Sequence, residues 1–288
     1  MKPHRICMGK AGSLMEITRP VNSLMVGLAI IVGATITGGS TIMGEPIPLL
    51  YSFITGWALT GASMAVNDFY DREIDAVNEP RRPIPSGRVT PREAILLAAC
   101  LSLFGLSSSY LVSQEAFAVA AFSWVIMIVY SVWGKRTGFP GNLMVSACIA
   151  LPFVYGGVLT GNLAMSLYFS LIAFLSNTGR EVAKGIVDIE GDRSAGINTV
   201  AVSRGAVPAS RVAAAFFVVA VASSFIPIYR GLVGPWYLPF VAITDVGLLH
   251  GAFILVRDPS RENSRRVKNR VLYLMLVGLM GFAAGSLL

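Results

Sequence analysis

The sequence predicts an all-α integral membrane bundle of nine transmembrane helices with cytoplasmic cap loops. Mean hydropathy is +0.66. Charged residues make up only 14% of the 288-residue chain, where a soluble domain carries about 25%. Apolar runs also recur at lengths close to the ~20 residues that cross hydrocarbon.

In chain order the runs are as follows. Val21–Thr37 comes after a basic, polar segment, Met1–Pro20, that carries no cleavable signal. Ile47–Val66 runs directly into an acidic cluster. Ala94–Val112 starts beyond a Pro-rich loop, and Ala116–Trp133 stops at Lys135 and Arg136. Leu143–Thr160 is followed by Leu163–Asn177, which leads into a second acidic cluster. Val212–Ile228 precedes Trp236–Val256, which contains Asp245 and His250. Val271–Leu288 follows the charged stretch Arg257–Arg270, read as a solvated connector. One domain over 1–288 is expected, with a cytoplasmic segment at 1–20 and motif-bearing loops at 67–92 and 180–208.

A net charge of +7 could suggest nucleic acid, but its distribution points elsewhere. With the N-terminus inside, every one of the 23 Lys and Arg except Arg230 falls in the N-terminal segment or an inner loop. This is the positive-inside asymmetry of a multi-pass cell-membrane protein. It predicts a cytoplasmic N-terminus, an external C-terminus, and both acidic clusters on the cytoplasmic side. The basic excess serves topology and anionic lipids; neither nucleic acid nor an obligate protein partner is expected. Cys7, Cys100 and Cys148 have no metal or disulfide spacing, and the last two read as packing residues within helices. Gly27, Gly33, Gly38 and Gly39 read as sites of close helix packing. Asp245 reads as a bundle-facing structural residue bonded to another helix, and His250 as a packed interfacial one.

The first cluster is Asn67-Asp68-Phe69-Tyr70-Asp71-Arg72-Glu73-Ile74-Asp75. On a helix, Asn67, Asp68, Asp71 and Asp75 share about a 100° arc over roughly 12 Å, with Glu73 pointing away. The second is Asp188-Ile189-Glu190-Gly191-Asp192, preceded by Arg180, Glu181 and Lys184. If the helix persists through the cluster, Glu181, Lys184, Asp188 and Asp192 share about an 80° arc with Glu190 on the far side, and Gly191 is the point where it would end early. The D-x-x-D-x-x-x-D spacing of the first recurs in the second with Gly185 in the first slot. The loop between Asn78 and Gly87 holds three prolines, so it is not helical throughout and reads as a cap.

Charge at the mouth of a membrane span is costly and usually functional. Two acidic faces call for a divalent cation, and Mg²⁺ shares hard oxygen ligands with phosphates. Arg72, Lys135, Arg136, Arg180 and Lys184 can neutralise the remaining charge. A bundle that excludes water suits an allylic diphosphate, whose departure leaves a carbocation.

The run Asn67-Asp68-x-x-Asp71-x-x-x-Asp75, followed by Arg82-Pro83-Ile84-Pro85-Ser86-Gly87, resembles the UbiA superfamily of intramembrane prenyltransferases. Arg180-Glu181-x-x-Lys184-x-x-x-Asp188-x-Glu190-Gly191-Asp192 is similar to that family's second aspartate motif. Arg19-Pro20-x-Asn22 and Tyr130-Ser131 with Lys135 extend the likeness along nearly the whole chain. The resemblance implies that Asp68, Asp71, Asp75, Asp188 and Asp192 bind Mg²⁺ on a prenyl diphosphate. It implies that Asn67 contacts the diphosphate or a metal, that Arg72, Lys135 and Lys184 hold phosphate oxygens, and that Arg19 and Asn22 line the polar end of the pocket. Tyr130 would stabilise charge at the ionising carbon. Many members carry aspartate where this chain has Gly185, so one carboxylate is missing.

From Glu16 through Asn78 the pattern is most similar to the archaeal branch that makes digeranylgeranylglyceryl phosphate. That likeness implies transfer of a geranylgeranyl group from its diphosphate to geranylgeranylglyceryl phosphate in ether-lipid synthesis. Arg81, Arg82 and Arg136 are then candidates for the acceptor's phosphate. Asp71, Asp188 or the released diphosphate could take the acceptor's proton. Two alternatives stay open: an aromatic acceptor such as 4-hydroxybenzoate, and a secondary transporter, which would place its charges on broken helices at mid-membrane.

Overall fold

A computed structural model describes residues 9–287, with the side chains of Val77, Asn78 and Leu287 left aside; Cys7 lies outside the described residues. Twelve α-helices make up the described chain, and among them eight are long and apolar enough to cross a membrane. Residues divide into two compact units.

The first unit, residues 1–28 and 51–132, holds α1 (Lys10–Ile17), the start of α2 (Pro20–Gly38), most of α3 (Pro46–Asn78), α4 (Pro91–Val112) and α5 (Gln114–Val132). Its inner core joins Ile17 of α1, Ala65 and Val66 of α3, Ala94 and Ala98 of α4, and the loop residues Ile84 and Val89. Ile84 and Val89 thus tack the Pro-rich loop onto the helices beside it. The start of α4 is set by a capping box: the Thr90 side chain accepts from the Glu93 amide, Glu93 accepts from the Thr90 amide, and Pro91 opens the helix. Lys10 of α1 reaches Glu93 at 2.6 Å, pinning α1 to the same end. Trp124 of α5 donates to Ser102 of α4 at 2.8 Å. Cys100 is exposed on α4, so it is not the packed residue expected there.

The second unit, residues 29–50 and 133–288, holds α6 (Phe139–Leu159), α7 (Leu163–Val187), α8 (Ile189–Ser194), α9 (Val200–Arg204), α10 (Ala206–Tyr229), α11 (Tyr237–Arg257) and α12 (Arg261–Leu287). Its centre is α7, whose Val182, Ala183 and Ile186 pack with Phe217 of α10 and with Val267 and Val271 of α12. The C-terminal half of α7 carries Arg180, Glu181 and Lys184, which lowers its apolar character although most of the helix is buried.

Small residues set the helix approaches. A Cβ on Gly156 of α6 would lie 2.3 Å from the Ala34 amide nitrogen of α2, and Thr160 donates to Thr37 at 2.6 Å across the same crossing. Gly27, Gly33 and Gly38 also meet neighbours closely. Gly39 does not: it has a left-handed φ of +57° and nothing within 4 Å, so it makes a turn rather than a helix contact. Asp245 of α11 accepts from Ser224 of α10 at 2.6 Å, the interhelical role expected. His250, by contrast, is exposed.

Two boundaries differ from expectation. The stretch 257–270 is not a connector, because α12 begins at Arg261 and only Asp258–Ser260 lie between helices. Ser264, Val267 and Val271 are buried along it, and their 3–4 residue spacing outweighs the charge around them. At the second cluster, α7 stops at Asp188, three residues before Gly191.

Candidate functional site

In the first unit α3 runs unbroken through the first cluster to Asn78. Asn67 donates to Asp71 at 3.1 Å, one turn along the helix, and both are partly exposed. Asp68 and Asp75 are buried, at 4% and 6% exposure, and two arginines satisfy them. Arg19 Nη2 lies 2.8 Å from Asp68 Oδ1; Arg82 Nη1 lies 2.6 Å from Asp75 Oδ2 and 3.6 Å from Asp68 Oδ1. Burial by itself would lower the Arg82 pKa, but its hydrogen bond to Asp75 and the charges of Asp75 and Asp68 outweigh that and raise it.

Arg19 reaches Asp68 from the corner between α1 and α2. It is the single non-glycine residue with positive φ among those described, at 47°, and that conformation costs about 1 kcal/mol. Its carbonyl accepts from the Asn22 and Ser23 amides at 2.9 and 3.2 Å, closing the corner as α2 begins. Asn22 itself has an exposed side chain and is not drawn into the cluster.

The other basic residues of this unit are arranged differently. Arg72 lies 4.8 Å over the Phe69 ring and 3.3 Å from Glu73. Arg81 is exposed, and its carbonyl accepts from Arg88 at 2.6 Å. Arg88 also grips Glu16 of α1, with the Nη2–Oε1 contact at 3.1 Å. Tyr130 lies partly buried near the end of α5.

In the second unit α7 gives way at Asp188, whose φ and ψ are −102° and 12°, and α8 carries Asp192 onward. The Asp192 amide donates to the Asp188 carbonyl at 2.8 Å, so the path bends while keeping a helical hydrogen bond. Burial first, and then the Asp188 charge, push the Asp192 carboxyl up to about 6, against the pull of Lys184 and a hydrogen bond with Thr199. Glu181 is held by Arg180 and by Lys184, the latter at 3.6 Å. Glu190 is exposed. Lys135 is partly buried and Arg136 exposed in the 3₁₀ turn Gly134–Thr137. The next residue, Gly138, has φ +70°, and a Cβ there would lie 2.1 Å from the Asn198 carbonyl oxygen, so this turn lies directly against the loop before α9.

Gly185, in the slot where an aspartate was expected, is buried, yet a Cβ there would lie 3.7 Å from the Thr199 side chain, an ordinary contact. Gly185→Ala is therefore expected to fold and to gain about 0.5–1 kcal/mol from reduced backbone freedom within α7. A lower melting temperature in detergent would contradict the space seen beside Thr199.

Four residues of these networks were not singled out in the sequence: Glu16, Thr199, Arg261 and Lys268. Arg261 Nε of α12 donates to the Val187 carbonyl at 3.1 Å, capping the end of α7. Lys268 is in electrostatic range of Asp188, Lys184, Arg180 and Glu181. For Glu16, Arg261 and Lys268, charge within a few residues of an apolar run was the one available signal; Thr199 offered none.

The donors suit Mg²⁺ in kind. Among the described residues no group of three or more His, Cys, Asp or Glu is gathered tightly enough to hold a metal. Mg²⁺ needs no such cage, since it commonly takes one or two carboxylates and completes its shell with water and substrate phosphate.

The profile of the UbiA prenyltransferase family matches residues 22–279. A digeranylgeranylglyceryl phosphate synthase of Korarchaeum cryptofilum is 36% identical over 281 residues, covering 95% of this chain and 97% of the relative. A solved digeranylgeranylglyceryl phosphate synthase structure superposes with a TM-score of 0.85 at 27% identity, covering 97% of this chain and 99% of the other. A UbiA homologue of Archaeoglobus fulgidus bound to GPP and Mg²⁺ shares the fold, with a TM-score of 0.60 at 16% identity over 94% of this chain and 99% of the other.

Proposed function

The chain belongs to the UbiA prenyltransferase family, and from that premise we propose that it transfers a geranylgeranyl group from geranylgeranyl diphosphate to geranylgeranylglyceryl phosphate, with Mg²⁺ as cofactor. The observation that carries this reading is end-to-end similarity to a synthase of that product at 36% identity, covering 95% of this chain. It is a multi-pass membrane protein, read here as a single domain over 1–288. We read α7 as the ninth span, since its 25 residues extend about 37 Å. The N-terminus and both acidic clusters are assigned to the cytoplasmic face and the C-terminus to the outside, on the basis of the Lys and Arg distribution.

Bound Mg²⁺ would neutralise charge on the departing diphosphate. Its proposed ligands are Asp68, Asp71, Asp75, Asp188 and Asp192. Asp71, which accepts from Asn67, is more exposed than Asp68 or Asp75. Arg19 pairs with Asp68 and Arg82 with Asp75; once those carboxylates turn to a cation, both guanidiniums can take phosphate oxygens. Arg72, Arg81, Lys135, Arg136, Arg180 and Lys184 supply further positive charge for the two phosphorylated substrates. Tyr130 offers its ring to the developing allylic cation. Asp71, Asp188 or the leaving diphosphate accepts the proton of the acceptor's hydroxyl.

The test is an assay of the detergent-purified chain with geranylgeranyl diphosphate, Mg²⁺ and either geranylgeranylglyceryl phosphate or 4-hydroxybenzoate. Mass spectrometry is expected to find the diether phosphate and stoichiometric diphosphate. Transfer to the aromatic ring alone would refute the ether-lipid reading, and substrate translocation with no diphosphate released would refute prenyl transfer.

A further inference from the structure

Helix α12 runs antiparallel to α7. At one end Arg261 caps the Val187 carbonyl at 3.1 Å, and at the other Phe282 packs on Phe169 with ring centroids 4.7 Å apart. Lys268 follows Arg261 by seven residues, and Arg180 precedes Val187 by seven. At about 1.5 Å per residue both stand roughly 10 Å from the capping contact, level with each other on neighbouring helices. Val267 and Val271 bury one face of α12 against Val182, Ala183 and Ile186, while Lys268 beside them stays partly exposed.

Lys268 belongs to a helix counted among the apolar spans. An ammonium in such a helix needs compensation and usually serves function. The groups around it are Asp188, Glu181, Lys184 and Arg180. With Lys268, this group holds three cations and two carboxylates. Arg180 spends one guanidinium nitrogen on Glu181, while its buried Nε has no hydrogen-bond partner among the described residues. Such an excess of donors and charge is suited to phosphate oxygens.

We propose that Lys268 is a substrate-binding residue, which with Arg180 and Lys184 holds a phosphoryl group of the donor diphosphate or of the acceptor. The identity of the substrates rests on the function proposed above; the anion-binding role of Lys268 is tested separately.

The experiment uses the full chain in detergent, as wild type, Lys268→Met and Lys268→Arg. Thermal stabilisation by Mg²⁺ with inorganic diphosphate is measured first, then KM for each substrate. Lys268→Met is expected to raise KM for one substrate roughly tenfold with little change in kcat, while Lys268→Arg stays near wild type. A rise for the donor, with a weakened diphosphate shift, assigns the site to the donor diphosphate; a rise for the acceptor alone assigns it to the acceptor phosphate. If both KM values and the diphosphate shift of Lys268→Met stay within twofold of wild type, the proposal is overturned. So it is if the only effect is a lower melting temperature. If wild type does not prenylate the lipid acceptor, the functional reading fails, and the diphosphate shift still decides on Lys268.

Discussion

Asp71→Asn is expected to lower turnover by about 10²–10⁴-fold while the protein remains folded in detergent, and Asp188→Asn to do the same. The asymmetry of the first cluster explains why Asp71 is the sharper probe. Asp68 and Asp75 are each bound to arginine, so changing them disturbs packing as well as chemistry. Asp71 is partly exposed, and its amide replacement keeps shape and size. A melting temperature within about 3 °C of wild type, together with lost turnover, separates chemistry from folding. Near-normal rates in both variants would remove the basis for placing a diphosphate at either cluster.

Arg82→Ala is expected to have the largest effect on stability, a loss of about 3 kcal/mol. Its guanidinium lies against two carboxylates that are nearly inaccessible to water, 2.6 Å from Asp75 and 3.6 Å from Asp68. Removing it leaves Asp75 buried with no counter-charge in the described structure, whereas Asp68 keeps Arg19. The double variant Arg82→Ala/Asp75→Asn should therefore regain much of the loss, because the uncompensated charge goes with it. Denaturation of all four members of the cycle in detergent checks this. Equal losses in the single and double variants would show that Arg82 acts through its contacts with the loop and not through charge.

Much of this molecule was legible because hydrophobic runs and charge position are local in sequence. Six of the nine apolar stretches mark a helix to within about six residues, whereas α3 and α7 run on well past Val66 and Asn177 and α12 begins well before Val271; the run into Asp75 is helical as the spacing requires. What escaped depended on pairing between distant residues. The onset of α12 at Arg261 was hidden because its charged residues outnumber the buried ones at Ser264, Val267 and Val271. A helix running through the second cluster, with Gly191 as its weak point, is what the spacing suggests; instead α7 ends before Asp188 and Gly191 sits inside α8. The pairing of Arg19 with Asp68 spans 49 positions, and no periodicity carries information over that distance. The family was readable from the two aspartate motifs, and comparison with relatives bore it out.

The contact of Gly138 with Asn198 has a mechanical corollary. With no side chain to act as a cushion, the turn carrying Lys135 and Arg136 and the stretch leading from Asp192 to Thr199 are pressed together backbone on backbone. A side chain at Gly138 would therefore force the turn carrying Lys135 and Arg136 away from the stretch that follows Asp192.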